Sequence, residues 1–214
     1  MTVYFTSDQH FGHSAARTFY RRPFSSVAEM DQEMTDRWNA AISPGDDVWH
    51  LGDFAVRQSA ERVAHLLATL YGRKHLVVGN NDDAMVTCCT GWTSVQPYAE
   101  LTVDGKQLVL CHYPFRSWRD MGRGSLNLHG HSHARLKALP RQFDVGVDGI
   151  SGRLSWPTFS GSRRPVALEP AAGGKGRRDP GLSPPQHRQR STHNSPPAAP
   201  AKRLGCVRDA DRPA

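Results

Sequence analysis

Short apolar runs and longer stretches at helical period take turns along the first 150 residues. Thr2-Val3-Tyr4-Phe5 opens a β-rich run over 2–7 that ends in the polar Asp8. Val27, Met30, Met34, Trp38 and Ile42 then recur at intervals of three and four. They lie behind Ser26 and Glu29 at capping-box spacing and ahead of Pro44-Gly45, which predicts a helix over 27–42. Asp47-Val48-Trp49-His50-Leu51 reads as a second strand running into Gly52-Asp53, and Ser59 begins a helix carrying Val63, Leu66, Leu67 and Leu70. His75-Leu76-Val77-Val78 is a third strand, running into Gly79-Asn80-Asn81-Asp82. Strands separated by helices predict an α/β sheet.

The pattern then changes. Leu101-Thr102-Val103 and Leu108-Val109-Leu110 flank Asp104-Gly105, a hairpin signal that makes the pairing antiparallel at this point. Leu126-Asn127-Leu128 delivers Gly130-His131-Ser132-His133, and Phe143-Asp144-Val145-Gly146-Val147 supplies a final strand. From about residue 161 the periodicity dissolves, and 9 of the 15 prolines fall after Gly161 among Arg, Ser, Gly and Ala. Such a segment has too few large apolar groups to form a core. The chain divides into a globular domain over 1–160 and a disordered Pro/Arg-rich tail over 161–214.

Charge follows the same boundary. Before residue 163 there are 16 basic and 16 acidic residues, and from there on 11 and 4, so the net charges are 0 and +7. The high overall pI therefore belongs to the tail, and the domain offers no long-range attraction for nucleic acid. Basic pairs in the tail such as Arg163-Arg164, Arg177-Arg178 and Lys202-Arg203 could recruit it, but solvated disorder accounts for them better. The four cysteines make no C-x-x-C pair, so neither a disulfide framework nor a cysteine zinc site is read. With no basic leader and no long apolar run, a cytoplasmic protein without membrane contact is expected.

The candidate chemistry lies where the β runs end. Asp8, His10, Asp53, Asn80, His112, His131 and His133 are all metal-ligand types, and three of them, Asp53, Asn80 and His131, directly follow a glycine. Each is unremarkable alone. Asp8-x-His10 is matched by a loop cap with a surface histidine, Asp53 by a helix cap, and Gly79-Asn80 by a turn. Together they supply mixed oxygen and nitrogen donors for two divalent cations, drawn from manganese, iron, zinc or nickel, with manganese first. Two adjacent ions can polarise a phosphate and generate hydroxide at neutral pH, so phosphoester hydrolysis is the leading reading.

The ordered blocks Asp-x-His, Gly-Asp, Gly-Asn-x-Asp, His and Gly-His-x-His strongly resemble the calcineurin-like metallophosphoesterase family over about residues 3–150. The strings from Thr6 to His13 and from His50 to Phe54 look like a small bacterial and phage branch of it. The resemblance implies a four-layer α/β sandwich, with two mixed β-sheets flanked by helices. It also implies that Asp8, His10 and His133 hold one ion, that Asp53 bridges, and that Asn80, His112 and His131 hold the other. A phosphodiesterase using a metal-bound hydroxide follows. The alternatives are a nuclease or nucleotide-specific hydrolase, and a non-catalytic metal-stabilised scaffold that recruits nucleic acid through its tail.

One departure from the family pattern matters. Where many members carry a histidine after Gly-Asn, this chain has Asn81, which can hydrogen-bond a phosphate oxygen but cannot protonate a leaving group. His13 is the candidate substitute. Arg22, Tyr113 and Arg116, with Trp118, are the candidate substrate contacts, on pocket walls expected from segments 14–26 and 113–125. The expected substrate is a phosphoester, with nucleotides among the possibilities.

Overall fold

A computed structural model describes residues 1–137 and 139–149. The expected tail over 161–214 lies outside them, as do the scaffold alternative that depends on it and the end of the expected 1–160 domain. The elements run β1 (Val3–Thr6), α1 (Ser14–Phe19), α2 (Val27–Ala41), β2 (Asp47–His50), α3 (Ala60–Thr69), β3 (Arg73–Val77), α4 (Ala84–Thr87) and β4 (Trp92–Gln96). These are followed by β5 (Ala99–Val103), β6 (Lys106–Leu110), β7 (Leu126–His129) and β8 (Gln142–Asp144).

Two four-stranded sheets result, ordered β1-β2-β3-β4 and β5-β6-β7-β8. In the first, all three pairings are parallel, with Val3 opposite Asp47 and Asp47 opposite Arg73. The intervening helices allow this, since parallel neighbours need a long crossover. In the second, only the β5–β6 hairpin is antiparallel, whereas β6–β7 and β7–β8 are parallel. Two sheets with flanking helices match the expectation, but mixed pairing is confined to the second. The hairpin turn has φ of 48° at Asp104 and 72° at Gly105, the paired left-handed conformation that Asp-Gly favours.

Side-chain alternation separates two apolar layers. Val48 and Leu76 face Met30, Met34, Trp38 and Ile42 of the α2 segment and Val63, Leu66, Leu67 and Leu70 of the α3 segment. Phe5 and Val77, on the opposite face, meet Leu108, Leu110 and Leu128 of the second sheet. Ser26 caps α2 by accepting from the Glu29 amide at 3.0 Å, while the Glu29 carboxylate reaches one residue further back, to the Ser25 amide at 2.7 Å. The expected capping box is thus shifted by one donor. Ser59 caps α3 through the Arg62 amide.

The far face of the second sheet is polar. Buried Asn127 and Gln142 bind the backbone of Phe115, and Trp118 tucks its indole N–H onto the Ser125 carbonyl. Among the described residues this face is covered by the irregular segment 113–125, with one 3-10 turn at Met121–Arg123, in place of an α-helix. Trp118 is therefore a packing residue and not a substrate contact.

Trp38 is fully buried, donates to the Tyr71 carbonyl and underlies His50. Trp38→Ala is expected to destabilise the domain by about 3–5 kcal/mol, read as a lower urea midpoint with an unchanged denaturant slope.

Candidate metal centre

The strands of the first sheet and β6, β7 and β8 of the second all deliver their C-terminal ends to one place. The Asp8 amide donates to the Gly52 carbonyl, Val147 to Ser7, and His112 Nδ1 faces the Leu51 carbonyl at 2.7 Å. Through these contacts the exits of β1, β2, β6 and β8 are tied together, and the Gly130 amide joins β7 by donating to the His112 carbonyl. Loops at such carboxyl ends are where open α/β sheets bind ligands.

Asp8, His10 and His133 form one donor cluster, and Asp8, Asp53 and His112 a second, the donor atoms within each lying within 4.8 Å of one another. His10 Nε2 is 3.5 Å from Asp53 Oδ2 and 4.0 Å from Asp8 Oδ1, and His133 Nε2 is 3.8 Å from Asp8 Oδ1. His112 Nε2 lies 3.5 Å from Asp53 Oδ1 and 3.0 Å from Asn80 Oδ1. His131 stands outside both clusters. Its ring is exposed and packs edge-on to His112, while its amide donates to both Asp8 carboxylate oxygens.

Tight backbone packing brings these groups together. Asp8, His10, Asp53, His131 and His133 all have φ between 47° and 65°, in the left-handed region that side chains rarely adopt. Such strain persists only where the surroundings over-determine it and clusters at functional sites. At Gly130 an added Cβ would run into the Ser7 side chain and lie 2.5 Å from Asp8 Oδ2. At Gly52, with φ of 93°, it would lie 2.6 Å from His112 Nδ1. Both glycines are required by close approach.

The electrostatics show what is missing. Asp8 and Asp53 are almost completely buried, and their ion-pair neighbours are imidazoles and not Lys or Arg. Burial first, then the charge of Asp53, pushes the Asp8 carboxyl well above the usual range. Burial drives His10 down to about 2 and lowers His112 despite the attraction of Asp53. Neutral imidazoles leave the two carboxylates uncompensated. His10 Nε2 is also buried with no hydrogen-bond partner among the described residues. A buried orphan nitrogen costs about 1–3 kcal/mol unless something fills it. A divalent cation satisfies the nitrogen and both carboxylates at once, so the donor set fits a metal.

The second ring nitrogens are held. His112 Nδ1 binds a backbone carbonyl, His133 Nδ1 lies 2.6 Å from Asp148 Oδ2, and His10 Nδ1 faces His13 Nδ1 at 3.2 Å. Holding the far nitrogen in this way is how metal-binding histidines are oriented. The candidate His13 thus stands next to His10, partly buried and with its ring lowered chiefly by burial. Asn81 donates from its backbone to Asp53 Oδ1 at 2.8 Å and from its side chain to Asp53 Oδ2 at 2.6 Å, grasping the carboxylate from one side.

Of the candidate substrate contacts, Tyr113 is 45% exposed and edge-on to His131 at 4.8 Å, and Arg116 is exposed. Arg22 differs from its expectation. It is buried, and all three guanidinium nitrogens are engaged by Asp148 and by the carbonyls of Asp8 and Gln9. The segment expected to be pocket wall over 14–26 contains α1, which places Tyr20 flat on His133, centroids 3.5 Å apart and planes 10° apart.

Several contributors carried no readable signal beforehand. Buried Asp82 accepts from the amides of Asp53, Phe54 and Gly79 and fastens two of the site loops, although burial still raises its carboxyl to about 6. Asp82 closes the Gly-Asn-x-Asp block but its clamp on the Asp53 loop was not legible, Tyr20 had no signal, and Asp148 lies past the last expected strand. His50 is buried, lowered to about 3 by burial, and paired with the Gln9 amide oxygen, while His129 faces the Gly130 carbonyl. Both lie off the ligand clusters.

Comparison with known proteins agrees with the site. The calcineurin-like phosphoesterase superfamily domain matches residues 1–145. The gene 66 protein of Mycobacterium phage D29 is 30% identical over 178 residues, covering 68% of this chain and 87% of the phage protein. An uncharacterized protein of Methanocaldococcus jannaschii is 29% identical over 133 residues, 62% of this chain and 69% of its own length. The crystal structure of a protein of unknown function from Aquifex aeolicus shares the fold, with a TM-score of 0.55 at 21% identity over 69% of this chain and 90% of that one. Among the described residues no helix is long and apolar enough to cross a membrane. The match over residues 1–145 and the clustered carboxylates and imidazoles at the strand ends make this chain a member of the calcineurin-like phosphoesterase superfamily, a metal-dependent hydrolase of phosphoester bonds.

Proposed function

We propose that the protein is a dinuclear phosphodiesterase, with Asp8, His10 and His133 holding one divalent ion, Asp53 shared, and Asn80, His112 and His131 completing the second site. The observation that carries this reading is the convergence of three imidazole Nε2 atoms, one of them orphaned, on two buried carboxylates. Manganese is favoured by the mixture of carboxylate, amide and imidazole donors. When bound, the ions supply Lewis acidity toward a phosphoryl oxygen and make water acidic enough to ionise near neutral pH.

The protein's part is to position and to exclude. Asn81 and the left-handed backbone at residue 53 aim the Asp53 oxygens in opposite directions, toward His10 and toward His112. The neutral rings of His10 and His112 keep their nitrogen lone pairs available at physiological pH. Asn81, whose amide is held on Asp53, keeps a second N–H for a phosphoryl oxygen but has no proton for a departing alkoxide. His13, next to His10, is the candidate for that proton. A diester with a good leaving group requires it least, which is why diesterase action on activated esters is the favoured reaction. Exposed Tyr113 beside His131 favours a second reading, hydrolysis of a nucleotide, whose flat base an aromatic edge can meet.

Asp53→Asn is expected to leave the urea midpoint near that of the parent, to lower manganese content by about one ion per chain, and to abolish hydrolysis of bis-p-nitrophenyl phosphate. Full turnover in this variant overturns the shared-ligand role. Asn81→His is expected to raise kcat for alkyl phosphodiesters by about 10²-fold or more while changing the p-nitrophenyl ester little, because an acid helps only poor leaving groups. Equal gains on both esters, or none on the alkyl ester, contradict the role given to position 81.

A further inference from the structure

We infer that Arg22 and Asp148 are a positioning pair that keeps the ring proton of His133 on Nδ1 and so leaves the Nε2 lone pair for the metal site. The inference rests on the ligand role proposed above for His133.

Arg22 sits on the segment after α1 and Asp148 beyond β8, 126 residues apart in sequence. The guanidinium meets the carboxylate in a fork, Nε to Oδ1 at 2.7 Å and Nη2 to Oδ2 at 2.7 Å. Its remaining reach is spent on the backbone of the first site loop, Nη2 to the Asp8 carbonyl at 2.6 Å and Nη1 to the Gln9 carbonyl at 2.7 Å. One buried cation therefore anchors the loop that carries Asp8 and His10 and, through Asp148, the ring of His133. A substrate contact needs a free donor pointing at solvent, and Arg22 is only 5% exposed with every nitrogen engaged.

Asp148 passes this order on. Paired bidentately with an arginine, its carboxylate is an acceptor only. The group 2.6 Å from its Oδ2 is His133 Nδ1, which must then carry the ring proton. Nε2 is left with its lone pair directed at the Asp8 side of the site. The Tyr20 ring stacked on His133 fixes the plane in which this happens. Without the carboxylate, both tautomers are open to the ring, and one of them points an N–H where a ligand atom is needed.

Asp148→Asn tests the pair with little change in shape. The amide oxygen stays with Arg22, the stronger donor, which turns the NH₂ group toward His133 Nδ1 and makes that nitrogen an acceptor. Two measurements on the full chain are decisive. In long-range ¹H–¹⁵N spectra of metal-free protein, His133, assigned by its absence in His133→Ala, is expected to move from the Nδ1–H to the Nε2–H tautomer. In calorimetric titration with manganese chloride, one of two binding steps is expected to weaken about 10–100-fold while the other holds. An unchanged tautomer together with wild-type binding at both steps overturns the pair.

If Asp148→Asn fails to fold, Asp148→Glu, which keeps an acceptor in a displaced position, is read by the same titration. Partial weakening of one step is expected, and two unaltered steps count against the pair. A parent protein that binds no manganese, or His133→Ala with both steps intact, removes the ligand role of His133. The tautomer of metal-free Asp148→Asn still decides whether the carboxylate sets the ring, so the two failures are told apart.

Discussion

Two carboxylates buried side by side and faced by imidazole nitrogens set the problem that the surrounding structure is built to hold. Asp8 and Asp53 are taken out of water by loops of both sheets, and among the described residues no Lys or Arg forms an ion pair with either. An uncompensated buried charge costs several kcal/mol. A cation entering the site relieves that cost, which links metal uptake to stability as well as to chemistry. The parallel arrangement of the strands makes the convergence possible, because parallel neighbours release their loops at the same end and two such sheets can be joined there.

A second set of acids does a different job. Asp82 holds the amides of Asp53, Phe54 and Gly79, Asp144 those of Ala134 and Gly146, and Asp31 that of Gly12. These carboxylates use their oxygens on backbone that lies in or beside the left-handed residues of the site loops. Left-handed residues outside glycine cost roughly 1–3 kcal/mol each, and the amide contacts offset that strain. The division is chemical. Asp82, Asp144 and Asp31 spend their oxygens on loop backbone, whereas Asp8 and Asp53, although each also accepts N–H bonds, turn oxygens toward imidazole Nε2 atoms.

Much of this was readable from the chain, for identifiable reasons. The α2 and α3 stripes and the β5–β6 turn announced themselves because each is governed by local periodicity or by one turn's chemistry. Asp8, Asp53 and His112 were legible because each ends an apolar run. Residues whose role depends on a distant partner were not. Arg22 looked like a substrate contact because an arginine near a phosphate site usually is one, and only the tertiary structure brings Asp148 beside it. Tyr20 was hidden in a segment with too short a helical pattern to stand out. β4 pairs on one side only, and its Trp-Thr-Ser-Val-Gln sequence has no clean alternation of apolar and polar positions.

The site's position at the sheet junction separates reaction from selection. Every side chain aimed at the two clusters comes from a strand end, where the sheet hydrogen bonds and the buried acids fix the backbone. The exposed aromatic Tyr113 and the exposed Arg116 belong to the irregular segment 113–125, and Tyr20 sits just past the short α1. Tyr113 and Arg116 can change without altering a donor atom at the centre, since neither holds Asp8 or Asp53 among the described residues, whereas Tyr20 stacks on His133. Arg22 cannot, because its guanidinium holds the backbone of the Asp8 loop directly. Substitutions at the rim should therefore act on substrate affinity, whereas those in the bracing network should act on how the metal site is assembled.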